Sequence, residues 1–188
     1  MAQRRFHYDH AFEHYLRSNA IPYISVDEAK RSLIANNTTH NKPNIKSFDF
    51  VVYSETGSNL LVDVKGRKHS GKTGANLQNW VTNDDIKGLT TWSHIFGENF
   101  VPVFAFLYWC DKQPPDALFH DIFEHHDRWY AALAIPLAQY KLHMKTRSAA
   151  WDTVCLPAEK FAKHTVPLRN LLRDTNVIPP RHFKLTTN

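Results

Sequence analysis

Two aspartates and a lysine in this chain have the residue types and the spacing of a cation site. Asp49 stands within the apolar segment 47–53, and Asp63 and Lys65 stand within the apolar segment 60–65. Divalent cations such as magnesium prefer oxygen ligands, which carboxylates supply. The pattern therefore predicts a divalent cation site, in which Lys65 adds one further positive charge.

The two segments are predicted to pair as a β-hairpin. Each supports an alternation of faces, and residues 55–57 between them suit a three-residue turn in which Gly57 takes the left-handed conformation. This register sets Asp49 opposite Asp63, with their Cβ atoms about 4.5–5.5 Å apart. Lys65 shares their face because side chains alternate along a strand. Two carboxylates at that separation repel each other, so a cation is expected beside them.

The other face of the hairpin is predicted to join the hydrophobic core. Its members are Phe48, Phe50, Val52, Leu60, Val62 and Val64. On these residues alone a second interpretation stays open, in which the polar face is an ordinary solvent-exposed surface with an Asp–Lys pair.

A helix is predicted ahead of the hairpin, over residues 4–17. Helical spacing marks its buried stripe, which consists of Tyr8, Ala11, Phe12, Tyr15 and Leu16. Glu13 adjoins this stripe and could point across it toward the hairpin as a third carboxylate. The alternative is an exposed Glu13 that pairs with Arg17 one turn later. His10 and His14 have the spacing of a zinc pair, although oxygen ligands dominate the hairpin.

These residues together resemble the PD-(D/E)XK nuclease superfamily. Asp49 follows Phe48 at the PD position, where the proline of the motif is not present, and residues 63–65 read Asp-Val-Lys at the (D/E)XK position. The resemblance covers about residues 5–109. It implies an α/β fold with a restriction-endonuclease-like core, in which helices flank a mixed β-sheet in the order αβββαβ.

The resemblance also implies a function, which is hydrolysis of phosphodiester bonds in nucleic acid with Mg²⁺ or Mn²⁺. DNA is favoured over RNA as the substrate, and the choice between them stays open. It implies that Glu13, Asp49, Asp63 and the carbonyl of Val64 hold the metal ion. Lys65 would orient the attacking water or stabilise the developing negative charge. A nucleic-acid-binding module that keeps this fold without turnover is an alternative.

A basic segment, residues 66–74, follows the proposed metal strand and is predicted to be a loop. Arg67, Lys68 and Lys72 could grip phosphates next to the one that is cleaved. A formal net charge of +5 and a sequence pI near 9.2 suit a polyanionic partner. The alternative is a solvated connection that has no partner.

The same segment supports a rival enzyme class. Residues 66–73 match the G-x-x-x-x-G-K-[ST] pattern of a phosphate-binding loop, and residues 103–111 form an apolar strand that ends in Asp111. A P-loop hydrolase or kinase therefore stays open. The polar residues Asp63 and Lys65 in the preceding strand count against it, because a P-loop strand lies inside a parallel sheet and is continuously apolar.

The rest of the chain is predicted to complete one domain. Residues 82–85 read as a capping box that opens a helix to Phe96, so Asp84 and Asp85 are interpreted as first-turn charges rather than metal ligands. Residues 100–109 suit a central strand. An extension, residues 110–178, is predicted to hold a second hairpin turned at residues 125–127 and several helical turns, and residues 179–188 a loosely held tail.

Length and composition suit a small intracellular enzyme. The chain has 188 residues and a mass of 21.8 kDa, enough for one substantial core. Cys110 and Cys155 are predicted to be reduced packing residues. No apolar run has the length of a signal peptide or of a membrane span, so a cytoplasmic location is expected. A homodimer stays open.

Overall fold

The computed structural model describes residues 3–26, 45–70, 77–112 and 121–173. The helices are α1 (Gln3–Ser18), α2 (Asn83–Phe96), α3 (Leu137–His143), α4 (Ala158–His164) and α5 (Leu168–Arg173). The strands are β1 (Tyr23–Ser25), β2 (Phe50–Val52), β3 (Asn59–His69), β4 (Val81–Thr82), β5 (Phe100–Cys110), β6 (Asp121–His125), β7 (Arg128–Pro136), β8 (Lys145–Ser148) and β9 (Thr153–Cys155).

A mixed six-stranded sheet, in the order β1-β2-β3-β5-β7-β6, forms the centre of the fold. β3 and β5 run parallel, and every other neighbouring pair in this sheet is antiparallel. α2 connects β3 to β5, as a parallel pair requires a crossover. A second sheet of three antiparallel strands has the order β4-β9-β8. The predicted mixed sheet flanked by helices is confirmed.

The two faces of the large sheet bury two separate sets of apolar side chains. On one face α1 and α5 cover residues such as Val62 and Val64 of β3. On the other face α2, α3 and α4 cover Leu61 and the even-numbered aromatic residues of β5. β5 is buried on both faces, which explains its nearly continuous apolar sequence. The next odd-numbered residues of β3 after Leu61, Asp63 and Lys65, therefore point into the helix-covered face that contains α2.

Several local predictions are confirmed. Phe50 pairs with Val62 in the β2–β3 hairpin, which is the predicted register. α2 begins at the predicted capping box, in which the Thr82 hydroxyl accepts from the backbone N–H of Asp85. The β6–β7 hairpin turns at His126 and Asp127, both with positive φ.

Two local predictions are wrong. Gly57 does not take the left-handed conformation, and the Ser54 hydroxyl organises the loop instead by accepting from the backbone N–H of Gly57 at 2.7 Å. The basic segment after Lys65 does not begin as a loop, because β3 continues to His69 in register with β5. The added pairing with β5 supplies the backbone hydrogen bonds that hold these residues extended.

Two predicted segments lie partly outside the described residues. They are the basic segment (66–74) and the extension (110–178). The tail (179–188) lies wholly outside the described residues. In the described part, Cys110 and Cys155 are free thiols. None of the described helices is long and apolar enough to cross a membrane.

Candidate active site

Asp63 and Lys65 form a buried ion pair on the α2 side of β3. The Lys65 ammonium lies 2.7 Å from a carboxylate oxygen of Asp63, and the two side chains are 11% and 4% exposed. The ring of Phe104, on the neighbouring strand, lies 5.8 Å from the Lys65 nitrogen. A charged pair in such surroundings is costly unless further polar groups complete its hydrogen bonds.

Asp85 supplies the second partner of Lys65. Its carboxylate accepts a hydrogen bond from the Lys65 ammonium at 2.9 Å and also forms an ion pair with the ammonium of Lys46. The other Asp85 oxygen accepts from the backbone N–H of Thr82 at 2.7 Å, as the capping box requires. The interpretation of Asp85 as a first-turn charge was therefore incomplete, since one carboxylate both caps α2 and binds Lys65.

The sequence analysis missed Asp85 and Lys46 as parts of the site. The sequence did carry a signal for Asp85, because the capping box places its carboxylate next to the backbone of Thr82 at the start of α2. Lys46 gave no such signal, because its approach depends on tertiary packing. The Trp92 indole donates to the Lys46 carbonyl at 3.0 Å, and a Cβ on Gly88 would lie 2.6 Å from that oxygen. Glycine at 88 therefore lets the chain around Lys46 pack directly on α2.

Asp49 stands across the hairpin from Asp63, where the β2–β3 register continues one residue beyond Phe50. A carboxylate oxygen of Asp49 accepts from the backbone N–H of Val64 at 2.7 Å, and the backbone N–H of Asp49 donates to the carbonyl of Val62. Asp49 is half-buried. The hairpin thus brings the predicted carboxylates together and ties Asp49 to the strand that carries Asp63.

The pKa values reflect this crowding of charge. Burial raises the pKa of Asp63 to about 7, and the charges of Asp49 and Asp85 add to that rise while Lys65 opposes it. Burial would also raise the pKa of Asp85, but Lys65, Lys46 and the Thr82 backbone together hold it well below its usual range. Burial lowers the pKa of Lys65, yet Asp63 and Asp85 outweigh that effect and the pKa is raised. Lys65 therefore stays protonated.

Glu13 is not brought to this cluster, which corrects the predicted ligand set. Its carboxylate accepts from the Tyr23 hydroxyl at 2.7 Å and from the Arg17 guanidinium at 2.8 Å. α1 packs on the face of the sheet that carries Val62 and Val64, opposite the face of Asp63. The alternative weighed from the sequence, a pair between Glu13 and Arg17, is the one found.

The predicted phosphate-binding residues have different surroundings. The Arg67 guanidinium stacks on the Trp80 ring at 4.1 Å and donates to the carbonyl of Trp80, and burial lowers its pKa. Lys68 lies 4.8 Å from the Trp109 ring and pairs with Asp111 at 3.1 Å. Consecutive strand residues point to opposite faces, so Arg67 alone of these two shares the face of Lys65. Lys72 lies outside the described residues.

The described part of the P-loop pattern does not form a phosphate-binding loop. Its first four residues, 66–69, belong to β3 and pair with β5 rather than curving around a phosphate. Gly66 serves packing, because a Cβ there would lie 2.1 Å from the ring of Tyr8 on α1. Asp111, at the end of the apolar strand in that alternative, pairs with Lys68. Residues 71–73 of the pattern lie outside the described residues.

The described side chains include histidines, cysteines and carboxylates, which are types that can bind metal ions. Among them, no group of three or more His, Cys, Asp or Glu residues is arranged to hold a metal ion. This applies also to His10 and His14, which have the spacing of a zinc pair and line a cavity of about 300 Å³. Asp49 and Asp63 fit a less demanding magnesium site, since Mg²⁺ keeps several waters and often uses one or two carboxylates.

Comparison with known proteins adds no assignment. No protein-family model matches this sequence, and no curated protein matches it significantly.

The raised pKa of Asp63 predicts how stability depends on pH. The folded-state pKa, about 7, exceeds the usual value of 3.8, so the folded protein binds this proton more tightly than the unfolded chain. The free energy of unfolding should therefore gain from Asp63 as the pH falls from about 8 to 5. Denaturant unfolding of wild type and Asp63→Asn at several pH values isolates this contribution. A difference between the two proteins that stays flat over this range would contradict the assignment.

Proposed function

We propose that this chain is a metal-dependent nuclease of the PD-(D/E)XK type, with a restriction-endonuclease-like core, that hydrolyses phosphodiester bonds in nucleic acid, with DNA as the expected substrate. The observation that carries the proposal is the placement of Asp49 directly before β2, opposite Asp63 on the paired strand β3, with the Lys65 ammonium 2.7 Å from Asp63. The order of elements supports it. Apart from the two-residue strand β4, which belongs to the second sheet, the described elements α1, the antiparallel strands β1–β3, α2 and the parallel strand β5 occur in the αβββαβ order of that core.

Asp49 and Asp63 are the residues that would hold Mg²⁺ or Mn²⁺, with the carbonyl of Val64 as a further oxygen. When bound, such an ion supplies Lewis acidity and lowers the pKa of a water molecule. Burial is the main cause of the raised pKa of Asp63, and the charge of Asp49 adds to it, so a cation between the two carboxylates would relieve their repulsion.

Lys65 is the residue that would act on the phosphate or the attacking water. Asp63 and Asp85 fix its ammonium from two sides and keep it protonated. A fixed cation in a site with little water stabilises developing negative charge more strongly than a mobile one. Lys46 lies at the solvent-facing end of the cluster, because its side chain is 38% exposed whereas that of Asp85 is 3% exposed. A phosphate approaching from solvent would meet Lys46 first.

Single substitutions test this role. Asp63→Asn and Lys65→Ala should each lower Mg²⁺-dependent cleavage by about 10²–10³-fold or more, the usual loss for one preorganised charge stabiliser. Asp84→Asn and Lys87→Ala change exposed charges on the same helix as Asp85 and should leave cleavage unchanged. Rates are measured on single-stranded, duplex, flapped and branched DNA. Equal rates in wild type and Asp63→Asn would overturn the proposal, and binding without cleavage by wild type would favour a non-catalytic module.

Metal binding is tested separately from activity. A ligand that binds the folded state alone stabilises it by about 2.7 kcal/mol at a hundredfold excess over Kd. Mn²⁺ should therefore raise the melting temperature of wild type and much less that of Asp49→Asn. Glu13→Gln serves as the matched control and should respond like wild type, because Glu13 lies on the opposite face of the sheet. A reduced response in Glu13→Gln, with a full response in Asp49→Asn, would refute this ligand assignment.

A further inference from the structure

Trp151 is a large apolar side chain exposed at the second sheet. Its side chain is 78% exposed, in the turn between β8 and β9. The turn is closed by a hydrogen bond from the backbone N–H of Asp152 to the carbonyl of Ala149 at 3.2 Å, and Asp152 has a φ of 46°. A large ring held outward on an ordered turn is available for contact with a partner.

The Trp151 turn is attached to the candidate active site. The backbone N–H of Asn83 donates to the carbonyl of Asp152 at 3.0 Å, and the Asn83 amide donates to the Asp152 carboxylate. Asn83 is the first residue of α2, and Asp85, two residues later, binds Lys65. The first turn of α2 thus connects the exposed ring to the proposed catalytic lysine.

Two positive side chains lie on the strand that precedes the Trp151 turn. β8 is an edge strand, and its residues Lys145 and Arg147 are exposed. The Arg147 guanidinium lies 5.2 Å from the ring of Trp80, and the Arg67 guanidinium lies 4.1 Å from the same ring. Arg67 belongs to β3, two residues after Lys65. The Trp80 ring therefore contacts both β8, through Arg147, and the strand that carries Lys65, through Arg67. We call Trp80, Lys145, Arg147 and Trp151 the β8 platform.

We propose that the β8 platform binds single-stranded nucleic acid and positions it for cleavage, an inference that rests on the nuclease function proposed above. Exposed tryptophan stacks on bases, and bases offer their faces when the strand is not paired. Lys145 and Arg147 complement the phosphates of the same strand. Cations on an edge strand also oppose pairing with a strand of another protein, which favours a polyanion over a β-strand partner.

The test measures binding in EDTA, so that no substrate is cleaved, by the anisotropy of labelled oligothymidine, oligouridine and blunt duplex DNA. Trp151→Ala should weaken binding of single strands about 5- to 150-fold, the range for loss of one stacked base, and change duplex binding less than twofold. For oligothymidine, the logarithm of the binding constant falls linearly with the logarithm of the salt concentration, and Arg147→Ala should make this slope less steep by about 0.7. Comparison of oligothymidine with oligouridine decides between DNA and RNA.

Matched controls separate this surface from general effects. Leu142→Ala removes another exposed apolar side chain, 71% exposed on α3, and Lys163→Ala removes an exposed cation on α4. Both should bind oligothymidine like wild type. Unchanged single-strand binding in Trp151→Ala, or an equal loss on duplex, would overturn the inference. That result would leave the nuclease proposal intact if Asp63→Asn still lowered cleavage by about 10²–10³-fold or more, whereas full cleavage by Asp63→Asn would refute the proposed active site whatever Trp151 binds.

Discussion

The structure depends on one buried cluster of charges, in which Asp63 and Asp85 share the ammonium of Lys65 beneath α2. Removing one partner of such a buried pair typically costs about 3–5 kcal/mol, because the other charge is left uncompensated. The first turn of α2 must therefore stay next to the odd-numbered face of β3, so that Asp85 can reach Lys65. The capping box meets the same requirement, since the carboxylate that binds Lys65 also fixes where α2 begins.

The composition of the cluster supports the proposed functional site over a structural ion pair. Perturbed pKa values occur in both, so the raised pKa of Asp63 does not decide between them. Asp49 is more informative, because a second carboxylate opposite Asp63 adds repulsion that a purely stabilising network would avoid. Its hydrogen bond from the backbone N–H of Val64 holds it in that position at 2.7 Å. A site that pairs two carboxylates next to one fixed lysine is suited to a cation and an anion together, as phosphodiester hydrolysis requires.

The sequence predicted those parts of the fold that local pattern determines. Alternation set the hairpin register, and the Thr82–Asp85 spacing set the start of α2. It did not predict contacts that depend on which sheet face a helix covers. Glu13 illustrates this, because its helical position next to the buried stripe is compatible with either direction, and packing of α1 on the Val62 face decided it. The continuation of β3 through His69 likewise depends on pairing with β5. The glycine and basic residues after Lys65 have no apolar alternation from which this pairing could be predicted.

The central claim, that Asp49 and Asp63 form the metal centre of a nuclease, is tested most directly by anomalous diffraction from crystals grown with Mn²⁺. We expect an anomalous peak between the two carboxylates, with oxygen ligands at about 2 Å and the Lys65 ammonium still bound by Asp85. A peak at the cavity lined by His10, His14, His125 and His126, with the Asp63–Lys65 pair unchanged and no density at Asp49, would contradict it.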